Sequence, residues 1–149
     1  MNVSLIASNG IAFSCTVSMF SLGTVIGDIT ILPGHEPFTT IVEPSLLTCS
    51  DVAGLDASVM GIVKDGILRC TVGKGLLYVV DNTISLAVSV AYYSLRESRA
   101  ALSQRFMQLE KDLISLRAGG DIEDINSHLD EIKHVKAQLA LYSYIYGND

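Results

Sequence analysis

The spacing of apolar residues changes once along this chain, near Tyr93, and that change restricts the folds available to it. Up to about Ala91, β-branched residues, glycines and turn dipeptides recur at short intervals, as in an antiparallel β-sandwich or barrel. From about Tyr93 the apolar residues recur every three or four positions, which indicates one face of a helix. We predict a mainly β fold with an α-helical appendage: a sandwich domain of about eight to ten strands over residues 1–91 and a two-helix antiparallel hairpin over residues 92–149.

Turn dipeptides divide the β part into strands. Asn9-Gly10 and Asp65-Gly66 are typical of two-residue hairpin loops. The strands that flank these two turns are predicted at Val3–Ala7, Ile11–Phe20, Val59–Lys64 and Ile67–Val72. Further turns are predicted at Glu43-Pro44, Gly73–Gly75 and Asp81-Asn82.

Two stripes of mostly apolar residues predict the helices. The first stripe contains Leu95, Arg99, Leu102, Phe106, Leu109, Leu113 and Leu116, and the second contains Ile122, Ile125, Leu129, Ile132, Lys136, Leu139, Ser143 and Tyr146. Because polar residues interrupt both stripes, we expect a marginal hairpin that needs another surface to pack on.

The connection between the helices contains two glycines. Gly119 and Gly120 are expected to end the first helix in the left-handed conformation, and Asp121 to cap the second helix, with Glu123 and Asp124 in its first turn. Adjacent glycines are also the residues best able to serve as a hinge.

Composition excludes several classes of protein. Although 49% of the residues are hydrophobic, no run approaches the roughly 20 apolar residues of a membrane span. The first residues lack the features of a secretory signal, so we expect a soluble protein that is not secreted. The net charge of −6 argues against a nucleic-acid partner, because phosphates are bound by basic surfaces.

Neither a metal site nor an enzyme active site is evident. Cys15, Cys49 and Cys70 are far apart and occur in strand-like stretches, so we interpret them as buried apolar residues rather than metal ligands or nucleophiles. Gly73-Lys74-Gly75 lacks the spacing of a phosphate-binding loop. We therefore predict no resident metal and no catalytic residues.

A sharp corner is predicted between two strands. Ile29 and Ile31 belong to a short strand that Pro33-Gly34 ends, because proline fixes φ and glycine tolerates a positive φ. His35 and Glu36 follow at the end of the sheet. They are either an ordinary polar loop or a partner-binding corner.

Three segments resemble the epsilon subunit of F-type ATP synthases, called delta in mitochondria. The segment with Gly27, Asp28, Leu32, Pro33, Gly34, His35 and Pro37 is similar to the family's G-E-x-G-x-L-P-G-H-x-P sequence, with Thr30 in place of a glycine. Leu95, Arg99 and Ala100 match the family's I/L-D-x-x-R-A motif, in which Arg96 replaces the aspartate. Gly75–Val79 and Asn82–Ala87 resemble a pair of family strands.

The resemblance implies a non-catalytic rotor subunit that links the gamma subunit to the membrane c-ring and couples proton flow to ATP synthesis. Such a subunit would lie peripherally at the cytoplasmic face of the bacterial inner membrane. Asp28 and the Pro33–Gly34–His35 corner would face these partners, and the hairpin, hinged at Gly119 and Gly120, would extend to the alpha/beta catalytic head and inhibit ATP hydrolysis.

The resemblance also implies a nucleotide motif, but an incomplete one. Because Arg96 inverts a charge in it, we expect Leu95, Arg99 and Ala100 to support weak ATP binding at most, and no cofactor. Alternatively, Arg99 only lays its stem along the helical seam. The alternative for the whole chain is a free-standing β-sandwich binding module with a helical dimerisation hairpin.

Overall fold

The computed structural model describes residues 1–56, 63–95 and 97–147, and contains ten strands followed by two helices in those residues. The mainly β fold with a two-helix appendage is as predicted. The strands are β1 (Asn2–Ala7), β2 (Ala12–Thr16), β3 (Met19–Thr24), β4 (Gly27–Ile31), β5 (Phe38–Val42), β6 (Ser45–Ser50), β7 (Leu68–Val72), β8 (Gly75–Val80), β9 (Thr83–Val88) and β10 (Ala91–Tyr92). The helices are α1 (Arg99–Arg117) and α2 (Ile122–Tyr146).

The strands form one continuous sheet around an apolar core. Their order is β10-β7-β6-β3-β5-β8-β9-β1-β2, and β4 pairs with β3. Phe20, Leu47 and Leu77 are among the core side chains with no exposed surface. One pair, β1 with β9, is parallel rather than antiparallel. These two strands are distant in sequence, so no hairpin turn forces them to run in opposite directions, as the turn between β1 and β2 does.

The two predicted hairpin dipeptides adopt different turns. Asp65 and Gly66 both have positive φ (52° and 75°), and Lys64 and Ile67 exchange two backbone hydrogen bonds, so this two-residue turn is confirmed. At Asn9-Gly10 only the glycine has a positive φ. There Gly10 N donates to Ala7 O, which makes a wider turn with a glycine bulge and corrects the two-residue prediction.

The predicted strand Ile11–Phe20 is wrong, because the chain changes partners within it. Val17 N donates to Met1 O, whereas Ser18 N donates to Ser50 O of β6. The run is therefore divided between β2 and β3. Of the predicted strand Val59–Lys64, residues 59–62 lie outside the described residues.

The first helix begins later than predicted. Ala91–Tyr92 pair with β7 as β10, so the chain is still extended where the helix was expected near Tyr93. Ser98 then caps α1 by accepting a hydrogen bond from Ala101 N. Leu95 consequently precedes the helix, although it packs against the hairpin core.

The two helices pack against each other along the predicted stripes. Their buried core contains Leu102, Leu109, Leu113, Ile132 and Val135. Of the polar residues in the stripes, Lys136 lies with its Nζ 5.7 Å from the centre of the Phe106 ring.

The turn between the helices differs from the prediction. Neither Gly119 nor Gly120 has a left-handed φ. A side chain is excluded at Gly120 for another reason, since a Cβ there would lie 2.7 Å from Leu116 O. Asp121 occupies the N-cap position of α2, but its side chain makes no capping hydrogen bond.

Candidate functional site

The Pro33–Gly34–His35 corner is exposed, and the neighbouring β8–β9 hairpin fixes its position. Gly34 has a φ of 82°, as the Pro-Gly pair predicts. Its backbone N donates to Asn82 Oδ1 at 2.7 Å, and the His35 ring packs against Phe38 with centroids 4.8 Å apart. These two contacts fix the position of the corner. Pro33, Gly34 and His35 are all exposed, so a partner can reach it.

Asp28 lies on β4, in the same segment as the corner. It is exposed, stands opposite Gly23 in the register of β3 and β4, and makes no salt bridge in the described part of the chain. A hydrogen bond fixes Gly23 in place, because its backbone N donates to Ser45 Oγ at 3.0 Å. Asp28 therefore presents a negative charge from a well-supported strand.

The predicted nucleotide motif lies at a different place, where β10 leads into α1. Leu95 is half-buried, whereas Arg99 and Ala100 are exposed on the first turn of α1. None of the three lines the nearby cavity of about 250 Å³, which is formed by Tyr92, Ser94, Glu97, Arg105, His134 and Gln138. The motif residues are thus neighbours in sequence but do not form a pocket together.

The one arginine of that cavity is already paired. Arg105 Nη1 lies 3.1 Å from Glu97 Oε1, and Arg105 Nη2 lies 2.5 Å from Glu131 Oε1. His134 packs edge-on against Tyr92, and burial, assisted by the Arg105 charge, lowers the pKa of its imidazole. A polyphosphate would meet little uncompensated positive charge here.

Sequence reasoning did not locate a row of apolar side chains across the outer face of the sheet. Ile41 on β5 stands opposite Leu76 on β8, Leu76 stands opposite Ala87 on β9, and Ala87 stands opposite Ile6 on β1. Ile6, Ile41 and Leu76 are 63%, 53% and 51% exposed. We call these four residues the apolar row. Its signal in the sequence is the doublets Ile6 beside Leu5 and Leu76 beside Leu77, which break the alternation of a half-buried strand.

The tip of the β3–β4 hairpin extends the apolar row at one end. Val25 N donates to Ile41 O, and Val25 and Ile26 are 52% and 76% exposed at the turn. Large aliphatic residues are unusual at a tight turn, where polar residues and glycine are common. Together the tip and the row form an extended apolar surface of the kind that marks an interface.

Helix α2 connects the hairpin to the β6–β7 side of the sandwich. Lys133 Nζ lies 2.6 Å from Glu43 Oε2, and Lys74 Nζ lies 2.6 Å from Asp130 Oδ2. Nearer the end of α2, the Tyr144 hydroxyl donates towards the Ile67 and Lys64 carbonyls at 2.9 and 3.2 Å. Ala137 and Leu141 are buried on the same helix.

The family is decided by the sandwich. Residues 1–94 match the model of the beta-sandwich domain of the ATP synthase Delta/Epsilon chain. The chain belongs to the ATP synthase delta/epsilon family. The matched residues contain Asp28, the corner and the apolar row, and end before α1.

Relatives of nearly the same length extend the similarity into the hairpin. The ATP synthase epsilon chain of Rhodopseudomonas palustris (strain BisB18) is 30% identical, with 91% of this chain and 90% of that chain covered. The epsilon chain of Afipia carboxidovorans is 27% identical over the same shares. A chain in the Euglena gracilis mitochondrial ATP synthase has a similar fold, with a TM-score of 0.63, 13% identity, and coverage of 93% of this chain and 78% of that one.

Three further observations concern the described residues of this family member. No three His, Cys, Asp or Glu side chains among them converge in a way that could hold a metal ion. Neither α1 nor α2 combines the length and apolar character that a membrane-crossing helix needs. Cys15, Cys49 and Cys70 are free thiols buried in the sandwich, and burial raises the pKa of Cys70 to about 12.

Proposed function

We propose that this chain is the non-catalytic central-stalk subunit of a proton-translocating ATP synthase, joining the gamma subunit to the c-ring and so coupling proton flow to ATP synthesis. It acts as a peripheral subunit at the cytoplasmic face of the bacterial inner membrane. The observation that carries the proposal is the exposed apolar row on a sandwich that belongs to the delta/epsilon family.

The apolar row is the surface that we assign to gamma. Full burial of an aliphatic side chain contributes about 1.5–3 kcal/mol, and Ile6, Ile41 and Leu76 each still expose more than half of their surface. Covering all three would contribute on the order of 3 kcal/mol, and the Val25–Ile26 tip would add to it. A contribution of this size strengthens binding roughly a hundredfold.

Asp28 and the Pro33–Gly34–His35 corner are the surface that we assign to the c-ring. Both are exposed and rigidly supported, and the Asp28 carboxylate has no partner cation within the described chain. A charge in such a position contributes to orientation and to the rate of association more than to affinity.

The hairpin is proposed as a removable inhibitor of ATP hydrolysis that reaches the alpha/beta head when it extends, with Gly119 and Gly120 as its hinge. Two observations support this role. The hairpin has its own apolar core, separate from that of the sandwich. Its docking rests on one helix, through buried Leu141, the Tyr144 hydroxyl and two partly exposed ion pairs that are each worth about 0–1 kcal/mol. A small difference between docked and released states is what a reversible switch needs.

Binding to gamma is tested by charged substitutions in the apolar row. Leu76→Glu and Ile41→Glu should each weaken the affinity for purified gamma subunit at least about tenfold, because a carboxylate would be buried in an apolar contact. Ile114→Glu is the matched control, since Ile114 is 71% exposed but lies on α1. Equal affinities of all three variants and the wild type would refute the assignment of this surface.

The inhibitory role and the domain boundary are tested by a stop codon after Ser94. The shortened chain retains β1 to β10, so it should fold, assemble with gamma and support ATP synthesis. ATP hydrolysis by the assembled complex should rise. Unchanged hydrolysis would indicate a hairpin that only stabilises the stalk, and failure to assemble would refute the independence of residues 1–94.

The alternative, a free-standing binding module, receives no specific support. Its discriminating property is dimerisation through the hairpin, and the relatives named above are ATP synthase epsilon chains over nine-tenths of their length.

A further inference from the structure

A second, larger cavity lies where the sandwich, the β10–α1 linker and the end of α2 meet. Its volume is about 430 Å³, which is within the usual range of small-molecule sites. Its walls are apolar and aromatic with two basic side chains: Val63, Lys64, Arg69, Tyr93, Ser94, Leu95, Leu141, Tyr144, Ile145 and Tyr146. It shares only Ser94 with the smaller cavity near the predicted nucleotide motif.

The charge of this cavity is opposite to that of the whole chain. The chain carries a net charge of −6, yet Lys64 and Arg69 line the cavity and none of the described acidic residues does. Neither cation has a salt bridge within the described residues. Both instead approach the Tyr144 ring, with Arg69 Cζ 4.3 Å and Lys64 Nζ 6.0 Å from its centre.

Two polar atoms of the lining residues are buried without a hydrogen-bond partner in the described structure. They are Arg69 Nε and the Tyr93 hydroxyl oxygen. Burial raises the pKa of Tyr93, so its hydroxyl remains protonated and able to donate. An unsatisfied buried polar group destabilises a fold, so an acceptor that reached these two donors would stabilise it.

We propose that this cavity binds a small aromatic carboxylate. The carboxylate group would accept hydrogen bonds from Arg69 and Tyr93, and Lys64 would add a second positive charge. The planar ring would pack against the aromatic and aliphatic walls, chiefly Tyr144 and Leu141. Two cations suit a single carboxylate better than a polyphosphate.

A ligand in this cavity would connect the sandwich, the linker and α2. Arg69 belongs to the sandwich, Tyr93 to the linker and Tyr144 to α2, so one bound molecule contacts all three. A ligand that binds only when α2 is docked stabilises the docked hairpin. The binding site itself does not depend on the proposed role in ATP synthase.

The test uses the full-length chain and 2-naphthoate as the probe, measured by calorimetry. A neutral probe of the same shape, 2-naphthalenemethanol, separates recognition of the anion from burial of the ring. The test variants are Arg69→Gln and Tyr93→Phe, and Lys111→Gln is the control, since it removes one exposed charge from α1 outside the cavity. Circular dichroism confirms that each variant is folded.

We expect the wild type to bind 2-naphthoate with a dissociation constant below about 1 mM and the alcohol at least about tenfold more weakly. Arg69→Gln should weaken 2-naphthoate binding about tenfold or more, and Tyr93→Phe about threefold, while Lys111→Gln should have no effect. Tyr93→Phe removes a hydroxyl that has no hydrogen-bond partner in the described structure, so the thermal midpoint of this variant should not fall. If Arg69→Gln does not fold, the binding measured for Tyr93→Phe tests the proposal instead.

Four results would overturn the proposal. Three of them are no measurable binding of 2-naphthoate by the wild type, equal binding of the acid and the alcohol, and equal binding by Tyr93→Phe and the wild type. Weakened binding in Lys111→Gln to the same extent as in Arg69→Gln would also overturn it, because the effect would then reflect net charge alone.

Discussion

Leu141→Ala should release the hairpin from the sandwich without unfolding the sandwich. Leu141 is 1% exposed, and it lines the cavity beside Arg69 and Tyr93 instead of joining the hairpin core. Its side chain therefore contributes to docking of α2 rather than to packing between the two helices.

The magnitude follows from its burial. Truncation of a buried leucine to alanine costs about 2–5 kcal/mol, which is roughly a 30-fold to several-thousandfold change in an equilibrium constant. The ion pairs Lys133–Glu43 and Lys74–Asp130 involve side chains that are 27–56% exposed, and each contributes only about 0–1 kcal/mol. These pairs cannot offset the loss of the leucine.

A carbodiimide provides the assay, because it joins an amine and a carboxylate only when they touch. Lys133 Nζ lies 2.6 Å from Glu43 Oε2 in the docked state, so the yield of this cross-link, measured by mass spectrometry, reports docking. The yield should fall sharply in Leu141→Ala. Ile114→Ala, which truncates an exposed aliphatic residue on α1, should leave it unchanged.

Hydrogen exchange completes the experiment by reporting on the sandwich separately. Amides of β3 and β8 should keep their protection in Leu141→Ala. An unchanged cross-link yield would show that Leu141 does not hold the hairpin. Joint loss of the cross-link and of protection in β3 and β8 would show that hairpin and sandwich form one cooperative unit.

Three further predictions concern single properties. Asp28→Lys should reduce coupling between proton flow and ATP synthesis in membrane vesicles while the free energy of unfolding changes by less than about 0.5 kcal/mol; normal coupling would remove Asp28 from the c-ring surface. Because Arg105 is already paired with Glu97 and Glu131, calorimetry should give a dissociation constant for ATP in the millimolar range or weaker, and a low-micromolar value would contradict this. Burial, with the Arg105 charge, lowers the pKa of His134 in the folded protein, so as pH falls through the ordinary value of 6.5 the unfolded chain takes up the proton first and stability decreases. His134→Gln should flatten the pH dependence of the urea midpoint between about pH 7.5 and 5.5, and parallel curves for variant and wild type would disprove it.

Local chemistry explains the parts of the fold that could be predicted. The change in the spacing of apolar residues near Tyr93 separates the sheet from the helices. Apolar residues at every second position lie on one face of a strand, but they do not lie on one face of a helix. Asp65-Gly66 forms the expected turn because both residues tolerate positive φ. Asn9-Gly10 does not form the two-residue turn that its composition favours. Gly10 N donates to Ala7 O, and the two strands are joined by a wider loop with one bulged glycine.

Long-range pairing explains what could not be predicted. Helix α1 begins at Arg99 rather than near Tyr93, because Ala91–Tyr92 pair with β7, a strand about 20 residues away in sequence. The apolar row depends on the relative register of β5, β8, β9 and β1, and no local pattern sets that register. The larger cavity exists only because Tyr144 and Leu141 dock beside Arg69.

The parallel pairing of β1 with β9 also determines the order in which this chain can fold during synthesis. Asn2 stands opposite Thr83, and Ala7 stands opposite Val88, so β1 cannot take its final place until β9 has left the ribosome. Contacts between such distant residues are slow to form, and until then one edge of the β1–β2 hairpin remains unpaired. The helices follow β9 in the chain and dock on the β6–β7 side, so they leave the ribosome only after both partners of the β1–β9 pair are available. Pairing of β1 with β9 can therefore begin before the hairpin is complete enough to dock.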